Sequence, residues 1–183
     1  MAKLLALTQN STNMPNWCSN TVEFRGDKKS IEVVGRLLEK TIEMADKTNE
    51  GQLLFGLEDA IDGYMFNPYV NDEDEDYIII LFDSRWNPIP NDMVRIAEVF
   101  NLSFEYDYEE SGNGIYGKYL FDGEELLDQH ATDPDIESCR FKEHDDEDDY
   151  ISGFDYEKLY NIIERSPATG VQIHRINEKD LHS

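Results

Sequence analysis

From Trp17 to the turn residue Gly26 the chain alternates, with Cys18, Val22 and Phe24 on one parity and Trp17, Thr21, Glu23 and Arg25 on the other. That period predicts a strand with one face on a core. Ile31, Val34, Leu38, Ile42 and Ala45 then recur at helical steps, which predicts an amphipathic helix over 28–47 with Asp27 or Ser30 as its N-cap. "GQLLFGL" (51–57) reads as a short strand, whereas the tract "NDEDED" (71–76) cannot be core. "YIIILFDSR" (77–85) is apolar on both parities and β-branched, as a central strand requires. Pro88 and Pro90 open a second helix with a stripe of Met93, Ile96, Ala97 and Phe100, because proline is tolerated where a first-turn N–H has no partner. "SFEYDYE" (103–109) directs Phe104, Tyr106 and Tyr108 inward and Glu105, Asp107 and Glu109 outward. "ESGNG" makes a hairpin turn, and "IYGKYLF" (115–121) returns beside it.

The order strand, helix, strand, strand, helix, strand predicts an α+β fold, a ferredoxin-like βαββαβ sandwich with an added hairpin strand. After residue 122 the chain turns acidic, aperiodic and proline-interrupted, which reads as a loop-rich arm. Tyr156, Leu159, Tyr160 and Ile163 mark one helix in it, at about 155–164, and "GVQIHRI" adds an edge strand. The expected organisation is a loose extension over 1–13, the ferredoxin-like domain over 14–124 and an acidic C-terminal extension over 125–183.

Charge narrows the class of partner. Forty acids against 16 bases give a formal charge of −24 in 183 residues, a field that repels phosphates and anionic lipid and draws in cationic surfaces. No segment approaches the roughly 18 apolar residues of a membrane span. The opening "MAKLLALTQNSTNM" has one lysine and no small-residue cleavage site, so no signal peptide is expected. Two cysteines, Cys18 and Cys139, suit a reduced cytoplasmic setting.

"MPNWCSNTVEFRG" (14–26), "FDSRWNPIP" and "AEVFNLSFEYDYEESGNGIYG" together resemble the Api92/YubB-like ferredoxin-like-domain family of phages and plasmids. That family pairs an N-terminal Asn-Trp-Cys strand with a Trp-x-Pro helix start and a Tyr-x-Glu-x-Gly strand end. Where such proteins carry a Trp-Gly-Thr-Lys-Trp-like segment, this chain reads "LEDAIDGYMFNPYVNDEDED". The resemblance implies the fold and a mobile-element origin, and it implies no mechanism.

Candidate chemistry is sparse. Cys18 shares its parity with Val22 and Phe24, which reads as a small buried hydrophobe in preference to a nucleophile. Cys139 and His144 alone are a weak zinc signal. Neither "DEDED" (72–76) nor "HDDEDD" (144–149) has the glycine and twelfth-position glutamate of an EF-hand. No cofactor or metal is expected. Glu110, beside the Gly112 turn, suits a role in holding turn N–H groups.

What remains is charge: nineteen acids against Lys118, Arg140 and Lys142 between Glu105 and Glu157, with alternate strand acids about 7 Å apart, close to the phosphate spacing of one DNA strand. The expected function is a non-catalytic accessory protein of a phage or mobile element. It would bind a basic surface of a host or anti-phage defence protein as an acidic nucleic-acid mimic and inhibitor, without touching nucleic acid or membrane itself. The expected partner-binding residues are Glu105, Asp107, Glu109, Glu110, Asp145, Asp146, Glu147, Asp148 and Asp149, with Tyr106, Tyr108 and Tyr116 as aromatic anchors. An enzyme acting on a small molecule or nucleotide is the alternative, and it predicts a pocket gathering Glu109, Glu110, Asp83, Arg85 and His130. A nucleic-acid-binding sheet face ranks third, because the strands offer acids where lysine or arginine is needed.

Overall fold

A computed structural model describes residues 16–57, 59–144 and 150–175. The chain runs β1 (Trp17–Arg25), α1 (Lys28–Thr48), β2 (Phe66–Glu73), β3 (Tyr77–Arg85), α2 (Pro90–Phe100) and β4 (Ser103–Glu110). These strands lie in the order β2-β3-β1-β4, every neighbouring pair antiparallel. That is the ferredoxin-like arrangement the sequence predicts. β5 (Ile115–Phe121) and β6 (Leu126–His130) follow, then α3 (Asp133–Ser138), the hairpin β7 (Arg140–His144) and β8 (Tyr150–Phe154), α4 (Tyr156–Arg165) and β9 (Thr169–Val171). β5, β6 and β9 extend the same sheet to seven strands.

Local chemistry sets the helix ends. Asp27 caps α1, its Oδ1 accepting from the N–H of Lys29 at 3.0 Å and Ser30 at 3.2 Å, and Asn49 leaves the helix in the left-handed region at φ 54°. In the first turn of α2, buried Asp92 accepts from the N–H groups of Ile61, Asp62 and Gly63 at 2.8–3.1 Å, which pins the loop before β2 to the helix.

One sheet face carries the main core. Cys18, Val22, Phe24, Ile78, Ile80, Phe82, Phe104, Tyr106 and Phe121 pack under Ile31, Val34 and Leu38 of α1 and Met93, Ile96 and Ala97 of α2. A second cluster forms on the opposite face at the β5–β6 end, where Tyr116, Ala131, Ile136, Cys139, Leu159 and Ile163 meet Phe154. Between the second cluster and edge strand β2, the outer face of β1, β3 and β4 stays open, its side chains exposed or half-buried.

Two expectations are corrected. Residues 51–57 are not a strand: they make one bridge, Gln52 to Met65, and otherwise deliver Leu54 into the core as a loop. The strand is β2, which carries Pro68, two register shifts and acidic residues at its far end, all tolerated on an edge with no outer neighbour. The segment after 122 is also not a loop-rich arm, because β6 pairs residue for residue with β5 and the helices bury a cluster of their own. The helix expected at 155–164 is α4.

Candidate interaction groove on the open sheet face

The register of the central strands lays out the open face as a grid. Ser19 stands between Asp83 of β3 and Glu109 of β4, Thr21 between Leu81 and Asp107, and Glu23 between Ile79 and Glu105. Alternation sends all nine side chains to the same face. A groove of about 370 Å³ runs across the first two rows, floored by Ser19, Thr21 and Leu81. Asn67 and Tyr69 of β2 form one wall and Tyr160 of α4 the other, the two tyrosines being 50% and 51% exposed.

The acids of this face divide into two kinds. Lys118, only 8% exposed, bonds Glu105, reaches Glu164 of α4 at 2.7 Å and stands 3.8 Å from Asp107. Burial works against its charge, yet these carboxylates outweigh burial and hold its pKa above the ordinary lysine value. Asp83 and Glu109 differ, for no lysine or arginine among the described residues pairs with either. A neutral donor holds Asp83, the Asn67 amide donating to its Oδ2 at 3.0 Å, and the Tyr156 hydroxyl lies close enough to Glu109 to favour its charged form. Burial pushes the Asp107 and Glu109 carboxyls above the usual carboxylate range, against the Lys118 charge in one case and the nearby Tyr156 hydroxyl in the other.

Of the expected partner-binding residues, the structure brings Glu109 and Asp107 to the groove and leaves Glu105 at its rim, tied to Lys118. Tyr106, Tyr108 and Tyr116 are not surface anchors. Tyr106 is fully buried, its hydroxyl accepting from Ile89 N–H at 2.9 Å and donating to Asn20 Oδ1 at 2.6 Å. Tyr108 is buried across Gly117, whose missing Cβ leaves room for the ring, and donates to Asp128 at 3.0 Å. Tyr116 stacks on Phe154 in the second cluster. Tyr106 and Tyr108 share the inward parity of β4, while Tyr116, register partner of Glu109, faces the second cluster on the other side, so all three rings satisfy packing and buried polar groups. Glu110 is likewise buried, accepting from Gly112 N–H at 2.8 Å and Asn113 N–H at 2.7 Å, a turn brace. Asp145, Asp146, Glu147, Asp148 and Asp149 lie outside the described residues.

The pocket expected of an enzyme gathers only Asp83 and Glu109. Arg85 sits over Phe66, 4.6 Å from its ring centroid, in a neighbouring hollow with Trp17, and His130 pairs with Asp128 at 3.0 Å. Cys18 is buried and its thiol is pushed up to about 12 by burial, which suits packing. Among the described residues no group of His, Cys, Asp and Glu could hold a metal. Exposed acids also stud α1, the β2–β3 turn (Asp72 to Asp76), the β5–β6 turn (Asp122 to Glu125) and α3. The charge is therefore an envelope over the molecule, and what distinguishes the open face is a groove in which Asp83 and Glu109 stand together with the half-exposed rings of Tyr69 and Tyr160. That Tyr69, Tyr160 and Ser19 meet had no signal in the sequence, since only the strand register and the docking of α4 bring them together.

Residues 65–155 match a family described as a ferredoxin-like domain in Api92-like protein. This region is an Api92-like ferredoxin-like domain. The matched span runs from β2 through β8, and β1, the strand that completes the ferredoxin-like sheet between β3 and β4, comes from before it. The groove of this Api92-like domain thus combines the matched strands with Ser19 and Thr21 of β1. No curated protein and no solved structure matches the chain. No helix among the described residues is long and apolar enough to cross a membrane.

Proposed function

We propose that this Api92-like protein is a non-catalytic accessory protein of a mobile element that docks a basic surface of a host or defence protein onto its open sheet face. The observation that carries the reading is the pair Asp83 and Glu109, which line the groove and which no lysine or arginine among the described residues pairs with. The −24 envelope supplies long-range steering toward a basic partner, and the groove supplies a place for it to seat. Mimicry of nucleic acid, in this reading, is one of charge and not of phosphate spacing, because Lys118 interrupts the row Glu105, Asp107, Glu109. Recognition is favoured over bond-making because Arg85, Glu110 and His130 are each committed elsewhere.

The test is titration of the purified protein with an arginine-rich peptide by calorimetry at low and at high salt. Binding that falls steeply with salt supports the reading. Absence of binding at low salt, or an affinity that ignores salt, overturns it.

A further inference from the structure

The arrangement of the groove says more than that its partner is basic. Asp83 and Glu109 flank Ser19 across two sheet spacings, about 10 Å between their backbones. Asn67 Nδ2 uses one donor on Asp83 and leaves that carboxylate free to accept from the groove side. Glu109 has one hydroxyl, that of Tyr156, near it and likewise keeps acceptor capacity, since an ionised carboxylate offers about four lone-pair sites. The side walls are the exposed rings of Tyr69 and Tyr160, and the floor is two hydroxyls and a leucine. Carboxylates at two ends, aromatic faces at the sides and hydroxyls below suit a flat cation with donors in several directions.

We infer that the groove seats a single arginine side chain of the partner protein, its guanidinium bridging Asp83 and Glu109 and lying against Tyr160 or Tyr69. Guanidinium presents five N–H donors in one plane, stacks on aromatic rings and is weakly hydrated, so it fills this site better than ammonium, a compact and strongly hydrated point charge. Exposed aromatic walls separate the groove from the acidic β2–β3 turn of the same molecule, where the ring at hand, Tyr77, is already engaged by Asp72 at 2.8 Å and by Arg25 over its face. The elevated Asp107 and Glu109 carboxyls fit a site in which an incoming cation relieves crowded, half-buried acids.

This inference rests on the proposed docking reading, and the experiment separates the two. The probes are blocked Gly-Arg-Gly-Arg-Gly and Gly-Lys-Gly-Lys-Gly peptides, titrated into the full chain at low salt and followed by calorimetry. The variants are Glu109→Gln, Tyr160→Ala and, as a charge-matched control on the exposed β5–β6 turn, Glu124→Gln. The expected result is that arginine binds more tightly than lysine. Glu109→Gln weakens arginine about tenfold, the size of one lost charge-assisted pair, Tyr160→Ala removes most of the preference for arginine, and Glu124→Gln stays within about twofold, as expected of a surface charge. Each variant's amide spectrum and melting curve confirm that it is folded. Equal affinity for the two peptides, or equal losses for Glu109→Gln and Glu124→Gln, overturns the arginine seat while leaving the docking reading standing. Binding of neither peptide overturns both.

Discussion

Replacing Tyr106 by phenylalanine separates a core tyrosine from a surface anchor with one oxygen atom. The hydroxyl is fully buried and serves two partners, accepting from Ile89 N–H at 2.9 Å and donating to Asn20 Oδ1 at 2.6 Å. Without it Ile89 loses the bond that satisfies its N–H immediately before α2, and a buried orphan of that kind costs about 1–3 kcal/mol. Asn20 Oδ1 keeps a contact from Cys18 Sγ at 3.6 Å, so its share of the loss is smaller. The sum is about 2–3 kcal/mol, with no cavity term because the ring remains. At about 2–4 °C per kcal/mol for a chain of this size, Tm should fall by roughly 5–10 °C. Urea unfolding followed by circular dichroism gives the free energy, and calorimetry with an arginine-rich peptide gives the affinity at a temperature where both proteins are folded. The account expects lower stability with unchanged affinity. A variant that unfolds like the parent but binds more weakly would refute the placement of Tyr106 and return it to the surface.

Lys118→Met should lower stability by about 1–2 kcal/mol, less than a fully buried pair would lose because its three carboxylate partners are about half exposed; hydrogen exchange should show α4 loosening first, since Glu164 loses its tether. Glu109 works in the opposite direction. Its folded carboxyl titrates above its unfolded value, so it contributes stability that is present in acid and lost as pH rises through the folded value. Glu109→Gln should therefore match or exceed the parent in thermal stability at neutral pH and lose any advantage in acid, a trade of stability for binding charge that melting curves across pH will read. Cys18, buried with its thiol raised to about 12, should resist alkylation in the native protein and react only on unfolding, as timed labelling with mass analysis will report.

The sequence made β1, α1, β3, α2, β4 and β5 legible because each has a clear apolar period and a marked end. Asp27 before α1 and the proline at the start of α2 gave the helix starts their own chemistry. β2 was hidden for a physical reason: an edge strand pairs on one side only, so Phe66, Tyr69 and Val70 suffice, and acids at its end conceal the rest. The segment beyond residue 122 was hidden differently. Ala131, Ile136 and Cys139 come from a turn and a six-residue helix too short to show a period, and with Leu159 and Ile163 of the legible α4 they become a core only when folded against Tyr116. The candidate site was half legible. Parity put Glu105, Asp107 and Glu109 on the outer face, but it could not show that Lys118 would neutralise the first two. Nor could it show that Asp83, Ser19, Tyr69 and Tyr160 would join Glu109 around one groove, since that follows from register across β1, β3 and β4 and from where α4 lands.

The central claim is that recognition runs through the open face of the sheet and not through the acidic envelope at large. Backbone amide shifts of the full chain, recorded during titration with the arginine peptide at moderate salt, test it most directly. The account predicts saturable shifts centred on Ser19, Thr21, Leu81, Asp83, Asp107, Glu109 and Tyr160. Shifts concentrated at the acidic turns around Asp72 to Asp76 and Asp122 to Glu125, with the groove amides still, would contradict it.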